Sequence, residues 1–295
     1  MFRHFLLWSV LLLSQAALAQ SENPDSLRGW DTQGSFGLNF NQVSLSNWAG
    51  GGESSISVGE LIDLQATLTT RKGIWENQLQ SAYGLIRQGK GDDADFRKTD
   101  DQFQLLTRYN YLIDDHWFIT SLADFRTQLD KGYEYTVDDD GIERRKKISA
   151  FLAPGFLITS VGATYKIPER FTLTVSPTTA KFTFVRDEEL SDAGMFGVEP
   201  GETVRSEFGA SLVSTYQRPI AENVKFRTSL GLFSNYGEFS RTDVNWEANL
   251  IMKVNKYINS TISSQLIYDH DVIRKTQWRN VINVGFLYSF GGEES

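Results

Sequence analysis

The chain has 295 residues, 40% of them hydrophobic, a formal net charge of −8 and no cysteine. The acidic balance, with no basic stripe, argues against nucleic acid as a partner. The missing thiols exclude a disulfide framework and a lipid-anchored cysteine. The length fits one large β domain or two average domains.

The chain opens with a processing segment. Arg3 supplies the positive charge, "FLLWSVLLL" the apolar stretch, and Ala17-Leu18-Ala19 the small-residue cleavage site. That stretch is too short to span a bilayer as a helix. Residues 1–19 therefore read as a cleaved export signal, and losing Arg3 takes the charge from −8 to −9. Residues 20–31 read as a short periplasmic segment, 32–290 as one barrel, and 291–295 as a disordered acidic tail. No later segment approaches the ~20 apolar residues of a spanning helix.

Period-2 alternation, the signature of a strand with unlike faces, dominates from Phe36 onward. Twelve runs follow in order. The first is Phe36, Leu38 and Phe40, and the second runs from Ile56 to Leu68. Next come Trp75 to Leu85, Phe103 to Tyr111, Trp117 to Phe125, and Leu157 to Tyr165. The seventh starts at Phe171 and reaches Phe184, with Pro177 as a predicted irregularity. The rest are Phe208 to Tyr216, Val224 to Leu232, Val244 to Val254, Ile258 to Tyr268, and Trp278 to Phe290.

The connections alternate in length. Short turns are 70–73, 113–116, 166–170, 217–223 and 254–257. Long loops are 46–53, 88–98, 128–147, 186–203, 234–241 and 269–276. Short turns on the periplasmic side and long loops outside are the habit of an up-and-down transmembrane β-barrel. The expected fold is thus all-β, an antiparallel transmembrane barrel of twelve strands in the outer membrane.

Aromatics on the apolar parity sit toward strand ends, as in two interfacial girdles. The expected girdle residues are Trp75, Trp117, Tyr165, Tyr216, Trp246, Trp278 and Tyr288. The opposite parity carries charge and would line the lumen: Glu76, Arg108, Asp124, Arg126, Arg205, Glu207, Lys225, Arg227, Asp243, Glu247, Lys253 and Arg279. Mixed signs leave two outcomes open. Opposite charges pair and close the interior, or water fills a narrow polar pore.

Local motifs carry little chemistry. "GLIRQGKG" (84–91) lacks the Ser or Thr of a phosphate loop and the helix that should follow it. "VDDDGIE" (137–143) reads as a hydrated acidic loop tip, and "YDHD" (268–271) as a solvated loop rather than a metal site. His116 falls in a short turn. His270, on the outer side, could pair with a serine as in a barrel lipase, a distant third reading. No catalytic residue, cofactor or metal is expected. In "SNWAGGGESS" (46–55), Trp48 would meet the outer interface or the lumen mouth. Gly50, Gly51 and Gly52 would permit a sharp reversal. "LSDAGMFGVEPGE" (190–202) carries apolar Met195, Phe196 and Val198. It would either fold inward as a lid or pack on the rim.

"NQVSLSNWAGGGESSISVG", "AYGLIRQG", "FRKTDD", "FLAPGF", "LSDAGMFGVEPGE", "FSNYG", "DVNWE" and "MKVNKYI" together resemble a family of uncharacterised outer-membrane barrel-like proteins from Bacteroidota. The resemblance runs from about Phe36 to Phe290. It implies an outer-membrane barrel of unknown function and supplies no substrate or catalytic residue. Two functions follow from the whole reading. One is a narrow, porin-like pore for small polar solutes. The other is a closed structural or binding barrel whose outer loops contact a partner. The expected surroundings are outer-membrane lipids and, during insertion, the barrel-assembly machinery.

Overall fold

The computed structural model describes residues 29–43, 54–89, 95–253, 255 and 258–291. The signal segment, Trp48, Gly50, Gly51, Gly52 and tail residues 292–295 lie outside the described residues. Fourteen strands are present: β1 (Gly29–Val43), β2 (Ser55–Thr69), β3 (Gly73–Gln88), β4 (Phe96–Leu112), β5 (Trp117–Thr127), β6 (Gly132–Val137), β7 (Glu143–Ser149), β8 (Gly155–Ile167), β9 (Phe171–Phe184), β10 (Val204–Ala221), β11 (Val224–Asn235), β12 (Thr242–Lys253), β13 (Ile258–Asp269) and β14 (Ile273–Phe290). Twelve of them form one antiparallel barrel in the order β1-β14-β13-β12-β11-β10-β9-β8-β5-β4-β3-β2. β1 pairs with β2 along its length and with β14 from Gly34↔Phe290 to Leu38↔Phe286, so the sheet returns on itself at β1. Each strand meets its sequence neighbour except where β6 and β7 intervene, and those two form a separate hairpin.

The period-2 pattern makes these strands because an alternating segment can satisfy two unlike surroundings only in extended form. Which face points inward is fixed by ion pairs between strands that are not neighbours. Lys166 on β8 reaches Glu76 on β3, Lys181 on β9 reaches Asp269 on β13, and Arg279 on β14 reaches Asp100 on β4. Side chains three or four strands apart around a barrel touch only through its interior. The alternate positions therefore face out, among them Trp75, Leu250 and Trp278.

Pro177 does mark an irregularity. The β8–β9 register shifts between Val161 and Ala163, and the β9–β10 register shifts between Gly209 and Ser211. A bulge accommodates a residue without an N–H to donate to the ladder. It crowds its neighbour: a Cβ at Gly162 would overlap the Val175 carbonyl oxygen and the Cα of Ser176. Glycine is required there by space alone.

Several expected boundaries are corrected. Residues 128–147, expected to be loop, hold most of the β6–β7 hairpin. β4 begins at Phe96, inside the expected loop 88–98, and β1 begins at Gly29, ahead of 32. The expected long loop 269–276 is only 270–272, because Asp269 belongs to β13 and pairs with Ile273 across the turn. Its Oδ1 accepts from the Asp271 and Val272 amides at 3.0 and 3.2 Å, which tightens that turn. The turn expected at 217–223 contracts to 222–223. Above the apolar belt both faces of a strand meet water, so the alternation that reveals a strand is lost.

Candidate functional site

The interior is mostly polar, with buried Phe118 and Phe233 also on the inward parity, and its charges gather toward the two ends. At the long-loop end Lys181, buried on β9, is the centre. Its Nζ lies 2.6 Å from Asp243 Oδ2, 2.8 Å from Asp269 Oδ2 and 3.7 Å from Glu207 Oε2. Arg205 joins the group, 3.2 Å from Glu207 Oε1 and 2.6 Å from Asp271 Oδ2. The strand order makes this possible. Glu207 is on the adjacent β10, whereas Asp243 and Asp269 reach over from β12 and β13. Two further groups stand at the same end. Arg279 meets Asp100 at 2.5 Å, and Lys98 donates to Asp101 Oδ2 at 2.7 Å and to the Asp130 carbonyl at 2.8 Å.

The long-loop end is also roofed. After β9 comes helix α1 (Glu188–Asp192), capped by Asp187, whose side chain accepts from the Leu190 amide. A turn at Met195–Gly197 follows, held by Gly194 and Gly197 at positive φ. Leu190, Val198 and Val185 bury themselves against Ala150 and Ala153, with Met195 and Phe196 packed alongside. The apolar residues of "LSDAGMFGVEPGE" thus build a small core with the segment after β7. They pack on the rim, as the blander of the two expectations has it. Gly197 nevertheless stands directly over the barrel interior: a Cβ there would overlap the Arg205 guanidinium and lie 3.0 Å from the Asp271 carbonyl oxygen. Lys147 ties the roof down, 2.7 Å from Asp187 Oδ1 and 2.8 Å from Glu189 Oε2. That hydrogen bond holds the Asp187 carboxyl below the usual carboxylate range and the Lys147 ammonium above its own. On the hairpin, Arg97 and Arg145 lie 4.4 and 5.0 Å over the Tyr135 and Tyr133 rings.

At the short-turn end the arrangement is looser. Glu76 on β3 takes Arg108 from β4 at 3.2 Å and Lys166 from β8 at 3.3 Å, and accepts from Asn110 at 2.8 Å. Around it is a cavity of about 270 Å³, lined also by Glu169, Arg170, Gln217 and Arg227. Beside this cavity, buried Thr120, Thr164 and Thr174 join hydroxyls at 2.6 and 2.8 Å, and Thr120 donates to Asn110, which donates to Glu76.

The structure brings most of the charged positions read from the sequence into these groups. Asp124 and Arg126 pair with each other at 2.5 Å. Glu247 accepts from Asn249. Lys225, Arg227 and Lys253 lie on the inward parity of β11 and β12, opposite Ile251, Asn249 and Asn259 in register. Lys98, Asp100, Lys166, Lys181, Asp269 and Asp271 escaped the sequence reading. Asp269 in particular is not in a solvated loop but in the buried Lys181 group. Lys181 had a signal, since it stands between Ala180 and Phe182 on the polar parity.

The girdle aromatics fall in two tiers on the outward face. Toward the short turns, Trp117 packs on Tyr165 at 5.2 Å, His116 stacks on Tyr165, and Trp75 packs on Trp30 at 5.7 Å. Tyr216 and Tyr288 lie at the same end, Tyr288 opposite Phe36. Toward the long loops, Trp246 meets Trp278 edge-on at 6.2 Å. Trp30, inside the expected periplasmic segment, joins the first tier.

Residues 40–133 match a family described as protein of unknown function DUF3078. That stretch contains "SNWAGGGESS", "AYGLIRQG" and "FRKTDD"; the later motifs fall beyond it. A search of curated proteins found no match. Among solved structures the chain is similar to an outer membrane channel from Pseudomonas putida F1, at 11% identity over 92% of this chain and 100% of that one, with a TM-score of 0.41. It is similar to the translocator domain of the autotransporter NalP from Neisseria meningitidis, at 10% identity over 97% and 96%, with a TM-score of 0.40. The NanC porin aligns at 10% identity over 86% and 98%, also at 0.40.

Proposed function

We propose that the protein is an integral outer-membrane β-barrel that passes small polar solutes through a narrow, charged lumen. The membrane part of the reading is supported by the outward face. Val58, Leu105, Ile119, Val161, Val175, Ile262 and Ile282 are exposed on it, between the two aromatic tiers. A soluble protein rarely leaves so continuous an apolar belt in water. Lipid covers it without cost, provided every strand edge is paired. Assembly machinery would be needed for insertion, and the export signal would deliver the chain to it.

The observation that carries the size limit is the set of ion pairs running across the interior. Lys181–Asp269, Arg279–Asp100 and Lys166–Glu76 each cut across the barrel between non-neighbouring strands. They narrow the lumen to a slot lined by paired charges, which suits water and small polar solutes and rejects bulky ones. The reading assigns no catalysis. The Nδ1 of His270 lies 3.8 Å from Asp271, whose carboxylate is already held by Arg205.

Planar-bilayer recording of the refolded barrel tests this. Wild type should give small, steady conductance steps. Asp100→Asn, which frees Arg279 from its cross-lumen partner, should change the step size. If both proteins are silent at every voltage, the pore reading fails. The closed barrel that contacts a partner through its loops then takes its place.

A further inference from the structure

The cavity at the short-turn end holds more positive charge than it uses. Arg108, Lys166, Arg170 and Arg227 line it against Glu76 and Glu169, four cations to two carboxylates. Glu76 engages two of the four, Arg108 and Lys166. Even there Arg108 is underused: its Nε is buried without a hydrogen bond, because its approach to Glu76 is poorly directed. A buried, unmade donor on a charged group is costly unless something accepts from it. Arg170 and Arg227 have no carboxylate partner among the described residues. They come from separate elements on one side of the cavity, Arg170 from the β8–β9 turn and Arg227 from β11, facing Glu76 and Arg108 on β3 and β4.

We propose that this cavity is a binding site for a small soluble oxyanion, a phosphate or a short carboxylate. Guanidinium groups converging from different strands match the planar, multi-acceptor edge of such an anion. The Gln217 and Thr215 side chains, also in the lining, offer neutral donors beside them. The volume of about 270 Å³ sets the scale. It equals roughly nine waters, or one small anion with part of its hydration shell. Lipid headgroups are poorly placed to compete, since Glu76, Arg108, Lys166 and Arg227 stand on the inward parity of their strands. The proposal rests on the reading of the lumen as a solute path, and it names the solute class: anions held at the end remote from the long loops.

Titration calorimetry on the detergent-refolded full chain tests it, with inorganic phosphate, succinate and dihexanoyl phosphatidylglycerol as separate titrants. Phosphate or succinate should bind saturably and weaken as salt is raised. Arg227→Gln and Arg170→Gln should each weaken binding at least tenfold. Arg145→Gln, on the hairpin at the other end, should leave it unchanged. Heat-modifiable gel mobility checks that each variant is folded, and if Arg227→Gln is not, Arg170→Gln decides. Binding of phosphatidylglycerol alone, binding of none of the three, or equal losses in all variants would overturn the proposal. Conductance is read separately: a silent barrel that still binds phosphate refutes the pore and keeps the site, and a conducting barrel that binds no anion does the reverse.

Discussion

The two ends of the lumen solve the same electrostatic problem in opposite ways. At the long-loop end Lys181 and Arg205 are outnumbered by Glu207, Asp243, Asp269 and Asp271, and every one of these groups has a partner within 4 Å. At the short-turn end cations outnumber carboxylates, and Arg170 and Arg227 are left without a carboxylate partner among the described residues. The first group is buried beneath a packed roof, and the second opens onto a cavity. Charge at the loop end therefore holds strands together. Charge at the turn end is kept available.

The sharpest way to break that contrast is Lys181→Met. Removing the one cation that three carboxylates share leaves buried like charges facing one another. Breaking a buried pair by deleting one partner costs about 3–5 kcal/mol. The urea midpoint of the refolded barrel should fall accordingly. A midpoint within error of wild type would mean that water already screens the cluster and that the two ends do not differ in kind.

Leu250→Arg tests the wall both ends share. Leu250 faces out from β12, opposite Ile262 and Phe226 in register. An arginine there meets lipid near the middle of the belt and should cost about 2–4 kcal/mol. Asn249→Arg, one residue away and facing in, should cost far less. The yield of membrane-inserted, heat-modifiable protein separates them, and equal damage would reverse the assignment of faces.

Glu76→Gln should do little to stability, about 1 kcal/mol, because its ion pairs are partly exposed. Its effect belongs to charge. Freed Arg108 and Lys166 should raise the preference for anions, read as a shift in reversal potential under a salt gradient. A large loss of stability with no shift would make the turn end a second structural cluster.

How much of this was legible depends on where a residue stands relative to the apolar belt. β12 is transparent in sequence, since Val244, Trp246, Ala248 and Leu250 alternate with Asp243, Asn245, Glu247 and Asn249. Each parity has one kind of surroundings for the length of the belt. Above the belt that logic lapses. "FRKTDDQ" opens β4 and "ERRKKIS" is β7, yet neither alternates, because water wets both faces. Asp269 and Asp271 looked solvated for the same reason. Their partners, Lys181 and Arg205, lie far away in sequence, and periodicity carries no information about which inward charges meet across a barrel. Pro177 was legible because its missing N–H is a local property. The roof over Arg205 was half legible: Met195, Phe196 and Val198 announce packing, but not on what.

The smallest effect concerns the roof, where the loop end meets bulk water. Lys147 binds Asp187, the cap of α1, and Glu189. The hydrogen bond from Lys147 depresses the Asp187 carboxyl in the folded state. A depressed carboxyl contributes stability that is fully present above its unfolded value, about 3.9. That contribution is lost as pH falls through the lower, folded value. Lys147 is raised, chiefly by its hydrogen bond to Asp187. Its contribution is present below about 10.4 and is lost as pH rises through the folded value. Between these limits the tie is intact, so hydrogen-exchange protection of residues 188–193, corrected for intrinsic rates, should be flat from about pH 5 to 9. It should decline only below about pH 4. Lys147→Gln should lower the plateau slightly and flatten the acid decline, while exchange in β9 to β13 around Lys181 stays unchanged. If β9 to β13 loosen along with 188–193, roof and buried cluster form one cooperative unit, and the loop end cannot be divided into a structural core and a separable cover.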